Sequence, residues 1–508
     1  MTEPDVAADE GADAEQSGAR HSIGRNLAAM ASSQVLNWIL GTVLVLAYPR
    51  FLGPDGVGRL QLAFSLWLIA QVCVNLGTGT YLVLEMARDR ARGVTLVGPI
   101  LLIRLAAFAV ASLGMAGYVL VAGLDREMVA LVAITGLAML LTILQEVFGS
   151  AFSGMEQMSY SSIAFVTSKI VLTGLVLAVL FAGGGVIEIA WTTTVSGLLG
   201  LGLFALFYRR QHRVTFARPD GGYGLIVRAS SSYMVGSIIL VVYLQIDVVV
   251  MSMLIDDAAL GWYASADTLI HSLLFIPAML MGVLFPVMGR LHTTDAEAGK
   301  VIVHRAFSLL TIAGVAVGFG AAAIGEPFAV LMFGEDFRRG GHVLSVFAMS
   351  LPLIFLTMLL GQVAYTSGRE KFWSKLMAIG VVMSVAFDFA VVPVFDREVG
   401  NGAVAGALGY FVTESFMVVV AVRRITPELF SSETLVRISK ILVAGTAMFL
   451  VAWRLSEYVL LVPIAAGAGV FVTLALALRV LTDSDRELLA TLGRRIRRLP
   501  PAPDATDG

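Results

Sequence analysis

Two cations interrupt stretches that are otherwise apolar. Arg104 lies in ILLIRLAAF and Lys169 in FVTSKIVL. A guanidinium or ammonium group in apolar surroundings is costly and marks a functional position by default. Both groups suit phosphate, Arg104 through its planar fork and Lys169 as a point charge. The competing assignment is structural, either snorkelling to the nearer interface or pairing with Glu85 or Glu146. Acids occur at comparable places, with Asp247 in LQIDVVV, Asp388 in AFDFA and Glu414 in FVTESF. Each is either a proton or cation site or a hydrogen-bond partner that holds helices together. His271 follows Asp267 by four residues, so the two share one helix face, as a satisfied core histidine or as cavity lining. Neutral polar groups complete the set. Ser33, Asn37 and Gly41 recur at i, i+4 and i+8, which is either cavity lining or a close helix contact. Gln71 with Asn75, and Gln362 with Tyr365, have the same two options. Tyr233 and Tyr243 are packing residues or platforms for sugar rings.

The elements that carry these residues are membrane spans. The 508 residues are 57% hydrophobic and 14% charged, with mean hydropathy +0.85. A soluble domain carries about 25% charged residues. Fourteen segments have the length and apolarity to cross a bilayer, at approximately 26–48, 60–84, 95–122, 128–152, 160–182, 186–208, 230–255, 261–288, 306–324, 343–365, 373–395, 402–422, 438–457 and 459–481. With the N-terminus inside, 26 Lys and Arg fall on the cytoplasmic side and seven outside. That bias predicts an inner-membrane protein with both termini cytoplasmic. The acidic residues 1–22 read as a disordered tail, with no signal peptide. Asp485–Leu499 reads as a basic amphipathic helix lying on the anionic inner leaflet, within a terminal stretch 483–508. The single cysteine, Cys73, rules out an intramolecular disulfide. Pro277, Pro286 and Pro352 fall inside spans and predict helices that are not straight.

The chain repeats itself. Leu52-Gly53-Pro54-Asp55-Gly56-Val57-Gly58 aligns with Ile255-Asp256-Asp257-Ala258-Ala259-Leu260-Gly261, and Ser153-Gly154-Met155-Glu156 aligns with Ser367-Gly368-Arg369-Glu370. Both halves start on the same side, so the repeat is parallel. The predicted fold is all-α, with two six-helix halves at 23–213 and 229–425, a basic inter-half loop at 214–228, and a terminal pair of spans at 426–482. Such repeats build carriers, with the substrate site near the midplane.

Several stretches carry a family resemblance. They are Arg50-Phe51-Leu52-Gly53-Pro54 with Gly58, Gln245-Ile246-Asp247, Leu260-Gly261-Trp262-Tyr263-Ala264, Phe285-Pro286, Leu331-Met332-Phe333-Gly334, and Ser367-Gly368-Arg369-Glu370-Lys371. In this order, over roughly residues 22–425, the chain resembles the polysaccharide flippases of the multidrug/oligosaccharidyl-lipid/polysaccharide exporter superfamily. The resemblance implies a carrier that moves a polyprenyl-(pyro)phosphate-linked glycan from the inner to the outer leaflet for cell-surface polysaccharide or cell-wall synthesis. It implies that glycolipid, membrane lipids, H+ or Na+ and polysaccharide-assembly proteins are the partners. The lipid II branch typically carries an arginine in its first span, and this chain has none there.

Arg104 and Lys169 are then the expected head-group ligands. Asp247, Asp388 and Glu414 are the candidate coupling or cavity acids, and Ser33, Asn37, Gln71, Asn75, His271, Gln362 and Tyr365 the candidate lining. The alternative is an ion-coupled multidrug antiporter of the same superfamily, which would favour an acidic cavity. A membrane glycan polymerase or ligase is the third option. It lacks support, because no large outer loop, nucleotide-binding loop, metal-ligand cluster or nucleophile arrangement is present. No enzyme, cofactor, metal or nucleic-acid partner is expected.

Overall fold

The computed structural model describes residues 4–219 and 221–480, and the elements among them are all helical. In order, α1 is Pro4–Asn75, α2 Thr78–Arg88, α3 Arg90–Ala122, α4 Arg126–Gly154, α5 Met158–Phe181, α6 Val186–Arg209, α7 Tyr223–Met251 and α8 Asp257–Ser272. The chain continues with α9 Phe275–Thr294, α10 Ala296–Ala323, α11 Gly325–Phe333, α12 Arg338–Met349, α13 Leu351–Thr366, α14 Glu370–Val399, α15 Gly402–Ile425, α16 Ser432–Arg454 and α17 Leu461–Ala477. Side-chain acids and a serine start several of these helices. Asp89, Asp125, Asp295 and Ser431 accept from the N–H three residues on, satisfying donors that the helix itself leaves open.

Among the described residues ten helices are long and apolar enough to cross a membrane, and up to twelve if each bent pair is one span. Two further apolar segments correspond to the rest of the expected fourteen. Helix α1 covers two segments, because Gly53 breaks it with φ 68° and ψ 178°, and α17 is a shorter apolar helix. Helices α8 and α9 together make one span. Their junction falls at Leu273 and Leu274, where Pro277 offers no N–H to the carbonyl four residues back. Pro352 stands at the start of α13, after a 43° bend. Large side chains such as Val121, 91% exposed, need lipid around them.

The residues expected to form a disordered N-terminal tail are helical from Pro4. The stretch is rich in Ala and Glu, which favour helix, and its acids suit a helix N-terminus. The C-terminal amphipathic segment, Asp485–Leu499, lies outside the described residues.

By contact the chain forms two compact units, Met1–Ala264 and Ser265–Gly508. Helix α7 and the first turns of α8 thus belong with the first unit, although the sequence repeat starts its second half at 229. In the first unit α4 packs along α6, and α1 along α5 and α7. Trp67 fixes α1 to α4. Its Nε1 donates to the Val132 carbonyl at 2.7 Å, and its ring fills the space beside Gly136. In the second unit α10 packs against α13 and α16, and α14 against α15. The terminal pair joins this unit through Val315, Ile441, Ala444, Met448 and Phe471.

The two aligned turns of the repeat meet within the first unit. A Cβ on Gly58 would sit 2.1 Å from the Asp257 carbonyl oxygen, and one on Gly261 would sit 1.9 Å from that of Pro54. Gly58 aligns with Gly261, and Pro54 with Asp257, so the contact is reciprocal, as a parallel repeat requires. Arg59 stands beside it, bonding Asp257 at 2.8 Å, Glu127 at 2.8 Å and Asp125 at 3.1 Å. The acids are 40–54% exposed, so solvent and salt weaken each pair. Arg59→Gln is expected to cost about 1 kcal/mol. Thermal unfolding in detergent at low and high salt checks this, because the loss should shrink as salt rises.

Candidate functional site

Arg104 is 1% exposed and lies on α3, fourteen residues past Arg90, roughly 20 Å along the helix. Its partners come from two other helices. Nε donates to the Thr78 hydroxyl at 3.0 Å, Nη1 donates to the Ile143 carbonyl at 2.7 Å, and Nη1 faces Glu146 at 3.5 Å. Glu146 in turn accepts from Gln71 at 2.7 Å and from Asn75 at 2.9 Å. These two amides lie one turn apart on α1, which places both on one carboxylate. A buried arginine is tolerated only when paired and hydrogen-bonded, and this network supplies both conditions.

The network borders a cavity of about 610 Å³ within the first unit, lined by Asn75, Arg104, Glu146, Ser150, Ser153, Tyr233 and Ser237 among others. Glu146 is 40% exposed there, while the Arg104 side chain beside it is almost wholly buried. The cavity is polar, it lies among helices whose outer surfaces are apolar, and a phosphate, a sugar or a cation would find partners in it.

Several predicted residues converge here. Arg104, Asn75 and Tyr233 line the cavity directly, and Gln71 joins through Glu146. Lys169 does not. It sits half-buried on α5, outside the cavity lining. Asp247 is buried on α7, one turn beyond Tyr243, and its neighbour Gln245 accepts from Ser65 on α1 at 2.7 Å. Asn37 is half-buried on α1, and Gly41 has no atom within 4 Å of a built Cβ, so no close helix contact forms at that point. The side chain of Ser33 lies outside the described residues.

The second unit holds the remaining candidates. His271 Nδ1 lies 3.0 Å from the Asp267 carboxylate and 3.0 Å from its carbonyl, so the expected shared face is a bonded pair. Glu414 is 1% exposed and accepts the Thr357 hydroxyl at 2.5 Å. Asp388 is equally buried, its carboxylate 3.1 Å from the Cβ position of Gly409. Gln362 is half-buried and Tyr365 exposed on α13. A second cavity, of about 340 Å³, is lined by apolar residues such as Leu269, Phe328 and Met448 and by none of these polar candidates. Among the described residues no group of three or more His, Cys, Asp or Glu could hold a metal ion.

Sequence reasoning treated Glu146 only as an alternative partner for Arg104 and missed Ser150 and Gly79. The available signal was Asn75-Leu76-Gly77-Thr78-Gly79-Thr80, a polar, glycine-rich interruption in the middle of an apolar span.

Residues 23–292, just over half of the chain, match the family model described as polysaccharide biosynthesis protein. No curated protein matches the chain. Among solved structures, a lipid II flippase MurJ in an inward closed conformation aligns with 89% of this chain and 98% of its own, at TM-score 0.69 and 13% identity. An inward-facing multidrug resistance transporter of the MATE family, in the MOP superfamily, aligns with 78% of this chain and 96% of its own, at TM-score 0.66 and 15% identity. At these identities the likeness is one of fold.

Proposed function

This chain belongs to the polysaccharide biosynthesis protein family, and from that premise we propose that it is a flippase for a lipid-linked oligosaccharide. The observation that carries the proposal is Arg104, a guanidinium bordering a polar cavity inside a bundle whose outer surface is apolar. A phosphate and its sugars cannot cross about 30 Å of hydrocarbon unaided. A hydrated cavity with a cation removes most of that cost, while the polyprenyl tail stays in the bilayer. The protein lies in the inner membrane with both termini cytoplasmic. The head group enters from the inner leaflet, the two six-helix halves rock, and the head group leaves toward the outer leaflet. Tyr233 offers a face for a sugar ring. Asp247, Asp388 and Glu414 are the candidates for coupling the return step to H+ or Na+. The absence of an arginine from the first span argues for a glycan other than lipid II.

A second function, ion-coupled multidrug antiport, is favoured by one observation, the 40% exposed Glu146 carboxylate in the same cavity. One experiment separates the two. The purified chain is reconstituted in vesicles with a fluorescent polyprenyl-pyrophosphate-linked sugar, and with ethidium in a parallel set. Head-group exposure on the far leaflet, without ethidium movement under an H+ or Na+ gradient, is the expected result. Ethidium movement with no glycolipid exposure would make the protein an antiporter.

A further inference from the structure

The break between α1 and α2 creates a feature that flipping by Arg104 alone does not use. Helix α1 ends at Asn75, Leu76 and Gly77 both have positive φ (49° and 69°), and α2 starts at Thr78 with no side-chain cap. Gly77 is required there. Its φ is left-handed, and a Cβ would lie 2.4 Å from the Ser230 carbonyl oxygen on α7. The first N–H groups of α2 have no acceptor inside their own helix, and its positive dipole end stands ten residues before Arg88, roughly 15 Å along the helix.

Two further groups converge on this turn. A point where Gly79 would carry a Cβ is 3.1 Å from the Ser150 hydroxyl and 3.3 Å from Nη2 of Arg104. Nη2 makes no hydrogen bond among the described residues, although the side chain is 2% exposed, and neither does the Ser150 hydroxyl. Glu146 engages the opposite, Nη1, edge of the guanidinium. Gly77, Gly79, Arg104 and Ser150 all line the cavity.

We infer that the first turn of α2, the Nη2 edge of Arg104 and the Ser150 hydroxyl form one cradle for a phosphate group. The chemistry fits. A helix N-terminus, a charged N–H edge and a hydroxyl are complementary to an oxyanion. Gly79 leaves the space open, because a side chain there would stand where the oxyanion binds. The inference rests on the cavity being the head-group path, and it adds which atoms hold the phosphate.

Binding is measured apart from transport, by calorimetry on the full chain in phosphatidylcholine nanodiscs, with farnesyl pyrophosphate and inorganic pyrophosphate as probes. Gly79→Val and Ser150→Ala are each expected to weaken binding about tenfold or more, as for the loss of hydrogen bonds to a charged group. Ser150→Ala adds no atom, so it keeps the test decisive if Gly79→Val fails to fold. Competition between the probes identifies the source. If inorganic pyrophosphate displaces farnesyl pyrophosphate, the cradle accepts soluble phosphates as well, and if it does not, the phosphate must be lipid-linked. Unchanged affinity in Ser150→Ala and in folded Gly79→Val would overturn the cradle even where vesicles show flipping. Weakened binding in these variants, with no glycolipid exposure by the parent chain in vesicles, would leave the cradle standing and remove the flippase.

Discussion

Glu146→Gln is expected to destabilise the protein more than Arg104→Gln, although each breaks the same ion pair. The reason lies in exposure. Arg104 is 1% exposed, so without Glu146 its charge is left in the interior with only neutral partners. Removing one member of a fully buried pair costs about 3–5 kcal/mol, and the cavity beside Arg104 brings the loss to the lower end of that range. Glu146 is 40% exposed, keeps its bonds from Gln71 and Asn75, and can turn to cavity water when Arg104 is gone. That loss is nearer 1–2 kcal/mol, from the bonds Arg104 gives to the Thr78 hydroxyl and the Ile143 carbonyl, because Thr78 still donates to the Asn75 carbonyl and Ile143 stays within its helix. Arg104→Gln with Glu146→Gln should cost less than the two single changes added together, because no isolated charge remains. Transport should divide differently, with every variant lacking Arg104 inactive and Glu146→Gln retaining activity in proportion to its folded fraction. Unfolding in detergent for the full cycle, with vesicle transport beside it, checks both halves. Equal losses from the two single changes would mean that the pair is buried symmetrically.

The second large effect is expected at the reciprocal glycine contact. In Gly261→Ala the new Cβ would meet the Pro54 carbonyl oxygen at 1.9 Å, and in Gly58→Ala the Asp257 oxygen at 2.1 Å. Both obstacles are backbone, so no side chain can rotate away, and the helices must separate. Overpacking of this kind costs about 1–3 kcal/mol and occasionally more, and the upper part of that range applies where both chains are backbone. The separation would also draw Asp257 away from Arg59, adding the loss of that pair. Gly41→Ala is the control, since nothing lies within 4 Å of its Cβ position. Unfolding midpoints of the three variants test the contact, and a Gly261→Ala protein as stable as Gly41→Ala would show that the turns do not touch.

A charge inside an apolar span stands out one residue at a time. Arg104, Asp388 and Glu414 could each be found in this way and all three are buried, but of them only Arg104 lines the cavity. Its acidic partner was legible only as a choice between Glu85 and Glu146. Lys169 looked equivalent to Arg104 by depth and residue type, yet only Arg104 lines the cavity. Depth is a property of one helix, whereas facing a cavity depends on how that helix is rotated against others. In water an apolar stripe reveals this rotation. In lipid both the packed and the exposed faces are apolar, and the signal disappears.

By itself the sequence determined that this is an all-helical membrane protein with an internal repeat, because span length and hydrophobicity are local quantities set by the bilayer. It also marked Pro277 and Pro352, which stand at helix breaks, whereas Pro286 lies inside α9 and the break at Gly53 came only from the structure. Only the tertiary structure decided that Glu146 holds Arg104, that Gln71 and Asn75 share that carboxylate, and that Gly58 and Gly261 close against each other's turns. It also decided that the break at Leu76 and Gly77 brings the first turn of α2 beside the Nη2 edge of Arg104. Each of these is a meeting of groups distant in sequence, fixed by helix rotation and close backbone approach, which no single segment encodes.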